Sequence, residues 1–183
     1  MLEAEQLEEW YALERQALEQ LRAGNVARGT GVRQVFQLLV LPSYEAARSW
    51  EVCQDVKAEN RCFAIRSVWH RRTDLSKLDT PVVRLRYSRP LAPTIEVRQW
   101  PLEIGWVEAT RAKLKNLLIP AMVESGVIGC DGTCYEVVFD AGFEKARYHW
   151  WEEPPPGWSP LNQWLQETLQ ALERYGPVEW DQA

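Results

Sequence analysis

Histidine is scarce in this chain: two residues in 183, His70 and His149. Imidazole chemistry would have to use one of them. There is no Walker loop, no GxGxxG, no HExxH and no GxSxG, which removes the common phosphate-cradling, zinc-protease and hydrolase motifs. The four cysteines, at 53, 62, 130 and 134, form no CxxC pair, so a zinc ribbon or redox motif has no spacing to rest on. Free thiols are expected in a reducing cytosol. No apolar run approaches the roughly 18 residues needed to cross a bilayer. The start, MLEAEQLEEW, lacks the basic-then-apolar pattern of a secretion signal. These absences lead us to expect a cytoplasmic protein with no membrane partner, no metal and no cofactor.

What is present suits one globular domain with a helical extension. The 183 residues are 46% apolar and 26% charged, enough to bury a core without help. The net charge of −5 is unevenly spread. Residues 1–24 hold six Glu against two Arg, and residues 152–183 hold six acidic groups against one Arg. Residues 61–98 hold nine basic groups against three acidic ones. Acidic ends flanking a basic middle either neutralise one another in the fold or leave a basic patch for an anionic ligand. Ten tryptophans imply an aromatic core, with any exposed ones serving as binding anchors.

Apolar spacing predicts a helix over residues 2–23, on Leu7, Trp10, Tyr11, Ala17, Leu18 and Leu21, stopped by Gly24-Asn25. This helix either packs on the sheet or projects as an arm. Residues 32–41 read as a strand turning wholly apolar. Residues 48–55 and 61–69 read as a hairpin in which Asp55 faces Asn60, Val52 faces Phe63 and Trp50 faces Ile65. That register sets Cys53 opposite Cys62, placed to oxidise or share a metal, although two plain thiols are expected. Residues 70–81 read as a polar excursion, and VVRLRYSRP (82–90) as a strand with a row of arginines. A further strand is expected over 94–100 and a helix over 103–118. A second hairpin (133–140, 143–151) is expected to set Val137 against Ala146 and Tyr135 against Tyr148. Its outer face would pair Glu136 with Arg147, bring Val138 near Lys145 and set Cys134 near His149. Ser159 as N-cap and Pro160 open a last helix carrying Leu161, Trp164, Leu165, Thr168, Leu169 and Leu172.

The expected fold is therefore α+β: a mostly antiparallel sheet of five to seven strands with helices on one face. The expected divisions are an amphipathic helix (1–25), one α+β domain (26–176) and a tail (177–183).

DGTCYE, a strand ending Tyr148-His149-Trp150-Trp151, and then Pro155 and Trp158 opening an amphipathic helix resemble a pattern in small uncharacterised bacterial proteins. The resemblance spans residues 130–172, and departs from the pattern in its third proline and in Cys134. It implies a fold and a bacterial origin but no activity, and carries no catalytic residue across. Physically, Asp131-Gly132 is a turn dipeptide, and Trp150 and Trp158 would bracket the join between sheet and last helix, with Trp164 packed behind.

Three functional readings follow. The favoured one is a non-catalytic protein-binding domain, an immunity-type inhibitor or an adaptor or assembly subunit, whose acidic helix and tail meet a basic partner. The second is a nucleic-acid or phosphate binder using Arg84, Arg86 and Arg89 with Arg66, Arg71 and Arg72, and stacking on Tyr87, Trp69 and Trp100. The third is an enzyme around His149, with Cys134 opposite and Asp131 or Glu136 to orient the ring. Glu136, Arg147 and His149 form the outer hairpin surface to which contacts are assigned.

Overall fold

A computed structural model describes residues 4–25, 31–58, 61–79, 91–121, 123, 131–140 and 145–176. The elements are α1 (Ala4–Ala23), β1 (Val32–Pro42), β2 (Arg48–Asp55), β3 (Arg61–Trp69), α2 (Arg71–Asp79), β4 (Ile95–Leu102), α3 (Ile104–Lys115), β5 (Thr133–Asp140), β6 (Lys145–Trp151) and α4 (Ser159–Tyr175). The strands form one six-stranded antiparallel sheet in the order β4-β3-β2-β1-β5-β6, so the α+β expectation holds. The expected arginine strand at 82–90 and the tail at 177–183 lie outside the described residues.

Helices cover both faces of the sheet, not one. On the first face, Phe36, Leu38, Trp50, Val52, Ala64, Trp100, Val137 and Trp150 pack under α3 and α4. From α4 come Leu161, Trp164, Leu165 and Leu172, the expected stripe. Trp164 lies edge-on to Phe36 at 5.3 Å and donates its indole N–H to the Thr110 carbonyl at 3.1 Å. On the second face, Trp10, Leu13, Ala17 and Leu21 of α1 pack with Leu39, Leu41, Ala47, Trp69 and Val138. Thus α1 is seated rather than projecting. Its buried stripe runs 10, 13, 17, 21, while Leu7 and Tyr11 are 40% and 56% exposed.

Coverage of both faces explains a register difference. Across β2 and β3, Val52 faces Ala64, Trp50 faces Arg66 and Cys53 faces Phe63, one residue away from the expected pairing. The Asp55 carboxylate accepts from the Lys57 and Ala58 N–H groups at 2.9 and 3.1 Å, which builds a five-residue loop before Arg61. A one-residue shift exchanges the faces of every side chain on one strand. Phe63 and Ile65 tolerate this because both faces are covered. Cys53 and Cys62 therefore point to opposite faces and do not meet. In the second hairpin the shift is two residues: Val137 faces Tyr148, Tyr135 faces Trp150 and Glu136 faces His149. An even shift keeps the faces and changes only the partners.

The expected polar excursion contains α2, a helix with a poor apolar stripe. Tertiary bonds hold it instead. The buried Asp74 carboxylate accepts from the Trp69 indole at 2.8 Å, the Thr94 N–H at 2.7 Å, Lys77 at 2.8 Å and the Thr94 hydroxyl. Burial alone would raise the Asp74 pKa, but these hydrogen bonds outweigh it and hold the pKa below the ordinary value. At the start of α4, Trp158 rather than Ser159 occupies the N-cap position. Its indole reaches the Pro120 carbonyl at 3.0 Å.

Because Asp74 has a depressed native pKa, the stability it supplies is present above the unfolded pKa of about 3.9 and is lost as pH falls through the native value. Asp74→Asn should lower stability by about 3 kcal/mol near neutrality. In urea titrations from pH 6 downward it should also flatten the acid limb, and an unchanged limb would contradict the assignment. Mild oxidation should yield no Cys53–Cys62 disulfide in a non-reducing peptide map of the native protein; recovery of that peptide would contradict the β2–β3 register.

Candidate functional site

The C-terminal half of α1 rests on a layer of polar side chains from the sheet. The Gln37 amide on β1 donates to the Leu21 carbonyl at 2.7 Å, satisfying a helix-end acceptor. Glu51 on β2 is fully buried and accepts from the Asn25 backbone N–H and side-chain amide, both at 2.8 Å. Asn25 also donates to the Ser67 hydroxyl at 2.8 Å. Gly24 has φ +74°, and a Cβ there would lie 2.4 Å from the Glu51 carboxylate. Glycine is needed for both the turn and the approach. Glu136 on β5 is buried and accepts from Arg22 Nε at 2.9 Å.

Glu136 ties α1 to β5, the strand next to the β6 edge. The Arg147 side chain on β6 lies 4.0 Å from its other carboxylate oxygen. The expected Glu136–Arg147 pair is thus the longer contact, and the main partner is Arg22, which strand spacing alone does not reveal. Beyond Glu136, α1 no longer covers the sheet. Lys145, Arg147 and His149 on the outward face of β6 are exposed, and Trp151 is half-buried. One flank of α1 carries a shallow trough of about 280 Å³ lined by Tyr11, Glu14, Arg15, Leu18, Glu19 and Arg22. The trough thus combines an exposed tyrosine with side chains of both charges.

The other expected site residues are distributed differently. Arg71 pairs with Glu14 at 2.8 Å, donates to the Ser43 carbonyl, and lies over the Trp10 and Trp69 rings at 5.2 and 5.5 Å. It clamps α1 to the sheet. Arg72 is exposed. Arg66 is buried, 3.5 Å from Glu173 of α4 and over Trp50. Trp69 and Trp100 are buried and present no face for base stacking. Arg84, Arg86, Arg89 and Tyr87 lie outside the described residues, as does Cys130.

Asp131 accepts from the Tyr44 hydroxyl. The Gly132 carbonyl accepts from the Ser43 N–H at 2.8 Å, and a Cβ on Gly132, at φ +147°, would meet the Glu152 side chain at 2.3 Å. Thr133 exchanges bonds with Glu152 through both its N–H and its carbonyl. The DGT turn therefore ties the ends of β1, β5 and β6 together. Tyr148 and Trp150 lie edge-on to Trp158 at 5.4 and 6.1 Å.

Cys134 faces Trp151 across the strands, whereas His149 faces Glu136. Burial first, and then the charge of Glu136, push the Cys134 thiol pKa up, with Arg22 opposing. The thiolate needed by a nucleophile is disfavoured. Among the described residues no group of three His, Cys, Asp or Glu side chains is placed to hold a metal ion, and no helix is long and apolar enough to cross a membrane. No family model, no curated protein and no solved structure matches the chain.

Glu136→Gln keeps the shape and removes the charge that holds Arg22. It should cost roughly 1–3 kcal/mol by chemical denaturation. Combined with Arg22→Ala, the losses should be clearly less than additive. Full additivity would show that the two side chains do not interact.

Proposed function

We propose that this protein is a non-catalytic protein-binding domain, of adaptor or inhibitor type, which docks its partner on the surface shared by α1 and β6. The observation carrying this reading is the open outward face of β6, where Lys145, Arg147 and His149 are exposed; it is joined to α1 through Glu136, which contacts both Arg147 and Arg22, and α1 itself exposes Tyr11 at 56%. Tyrosine offers a large amphipathic contact at low entropic cost, and arginine is enriched at interface hot spots. Among the described residues seven tryptophans are buried and Trp106 and Trp151 are half-buried, so on this surface Tyr11 supplies the most exposed aromatic side chain. On α1, Glu14 is engaged by Arg71, while Glu8, Glu9 and Glu19 are exposed. The polarity of the β6 face favours an acidic partner surface. A nucleic-acid role draws little from the described arginines, since Arg66 and Arg71 are engaged within the fold.

A photo-crosslinking residue placed at Tyr11 or His149 in the native cell should capture one discrete heteromeric partner. The same residue at Val56, which is exposed at the tip of the β2–β3 loop, should not. Tyr11→Ala should weaken the captured complex by about tenfold. Equal capture from all three positions, or none from Tyr11 and His149, would remove this reading.

A further inference from the structure

We propose that β6 receives an extended acidic segment of the partner as a seventh strand of the sheet; this rests on the docking reading above and specifies its geometry. Strand β6 is the last in the order β4-β3-β2-β1-β5-β6, and among the described residues no strand pairs with its outer edge. Such an edge offers a row of backbone donors and acceptors. The two edges of this sheet differ. Strand β4 contains Pro101, which lacks an N–H. Its Glu96 and Arg98 neutralise each other, and His70 lies 3.0 Å from Glu96. Strand β6, Lys145–Trp151, contains no proline and exposes Lys145, Arg147 and His149 on its outward face, with Arg147 4.0 Å from Glu136.

The charge pattern selects the occupant. Two copies of β6 paired edge to edge would set one basic row beside another, which disfavours self-association. An acidic strand would instead meet Lys145 and Arg147 with opposite charge. Pairing also fixes the pattern of the segment. Side chains alternate between the two faces of a strand. On one face the incoming residues would lie beside Lys145, Arg147 and His149. On the other face they would lie beside Ala146 and Tyr148, the latter held edge-on to Trp158 at 5.4 Å. The matching ligand is therefore a segment with acidic residues at alternate positions and apolar residues between them. It would match the seven residues of β6, about 24 Å of extended chain.

The test uses the full chain, isotope-labelled for NMR, and two blocked heptapeptides, one alternating glutamate with valine and one alternating lysine with valine. The glutamate peptide should shift the backbone amide signals of residues 145–151 and slow their hydrogen exchange, and the lysine peptide should do neither. Lys145→Glu combined with Arg147→Glu, both at exposed positions, should weaken the glutamate peptide by about tenfold or more while circular dichroism stays unchanged. If the glutamate peptide shifts signals of Tyr11, Arg15 and Arg22 without slowing any β6 amide, strand addition is overturned and the α1–β6 docking surface survives. If neither peptide changes any signal, both readings fall. Equal binding of the lysine peptide overturns the charge selection.

Discussion

The position of α1 depends on three polar side chains buried in the face of a sheet. Gln37, Glu51 and Glu136 come from β1, β2 and β5, and each holds the C-terminal end of α1 or the residues just after it. A helix packed only by its apolar stripe could slide along or rotate on a sheet. These three bonds remove that freedom, because a shift of one residue would leave buried carboxylates without their donors. Arg71 fixes the other half, stacked on Trp10 and Trp69 and paired with Glu14. The cost of burying two carboxylates is offset only in this arrangement, so the polar layer supplies specificity of placement.

That placement determines which surface stays open. Arg22 ends at Glu136 on β5, and β6 lies beyond the reach of the helix. Under the opposite face, α4 and Trp158 support β6 through Tyr148 and Trp150. The strand is thus rigidly backed on one side and uncovered on the other. A rigid edge loses little entropy when a partner binds. Backing on one side with an open face on the other suits the proposed docking role.

Much of the fold was legible in the sequence, for identifiable reasons. Helix α4 carries an uninterrupted 3.6-residue stripe from Leu161 to Leu172, and strands β1, β2, β3, β5 and β6 carry dense β-branched and aromatic residues. The β2–β3 register was not legible. Polarity alternation specifies register only when one face is wet, and here Ile65 finds cover on one face and Ala64 on the other. Helix α2 was hidden because its stability comes from Asp74 and Thr94, which are twenty residues apart. The Arg22–Glu136 pair spans 114 residues and leaves no local trace. What the sequence did signal was that Glu136, Arg147 and His149 share one strand face, because an even register shift leaves strand faces unchanged; it did not signal that α1 buries Glu136 on that face while Arg147 and His149 stay exposed.

The most direct test is backbone hydrogen exchange measured along α1 and the sheet in the same experiment. If the buried polar layer locks the helix, amides from Leu13 to Ala23 should exchange only with the global unfolding that exposes β1 and β2, and should show the same free energy. Substituting Glu51 with Ala should separate the two, freeing α1 while the sheet stays protected. Rapid exchange of α1 in the unsubstituted protein, with β1 and β2 still protected, would contradict the account.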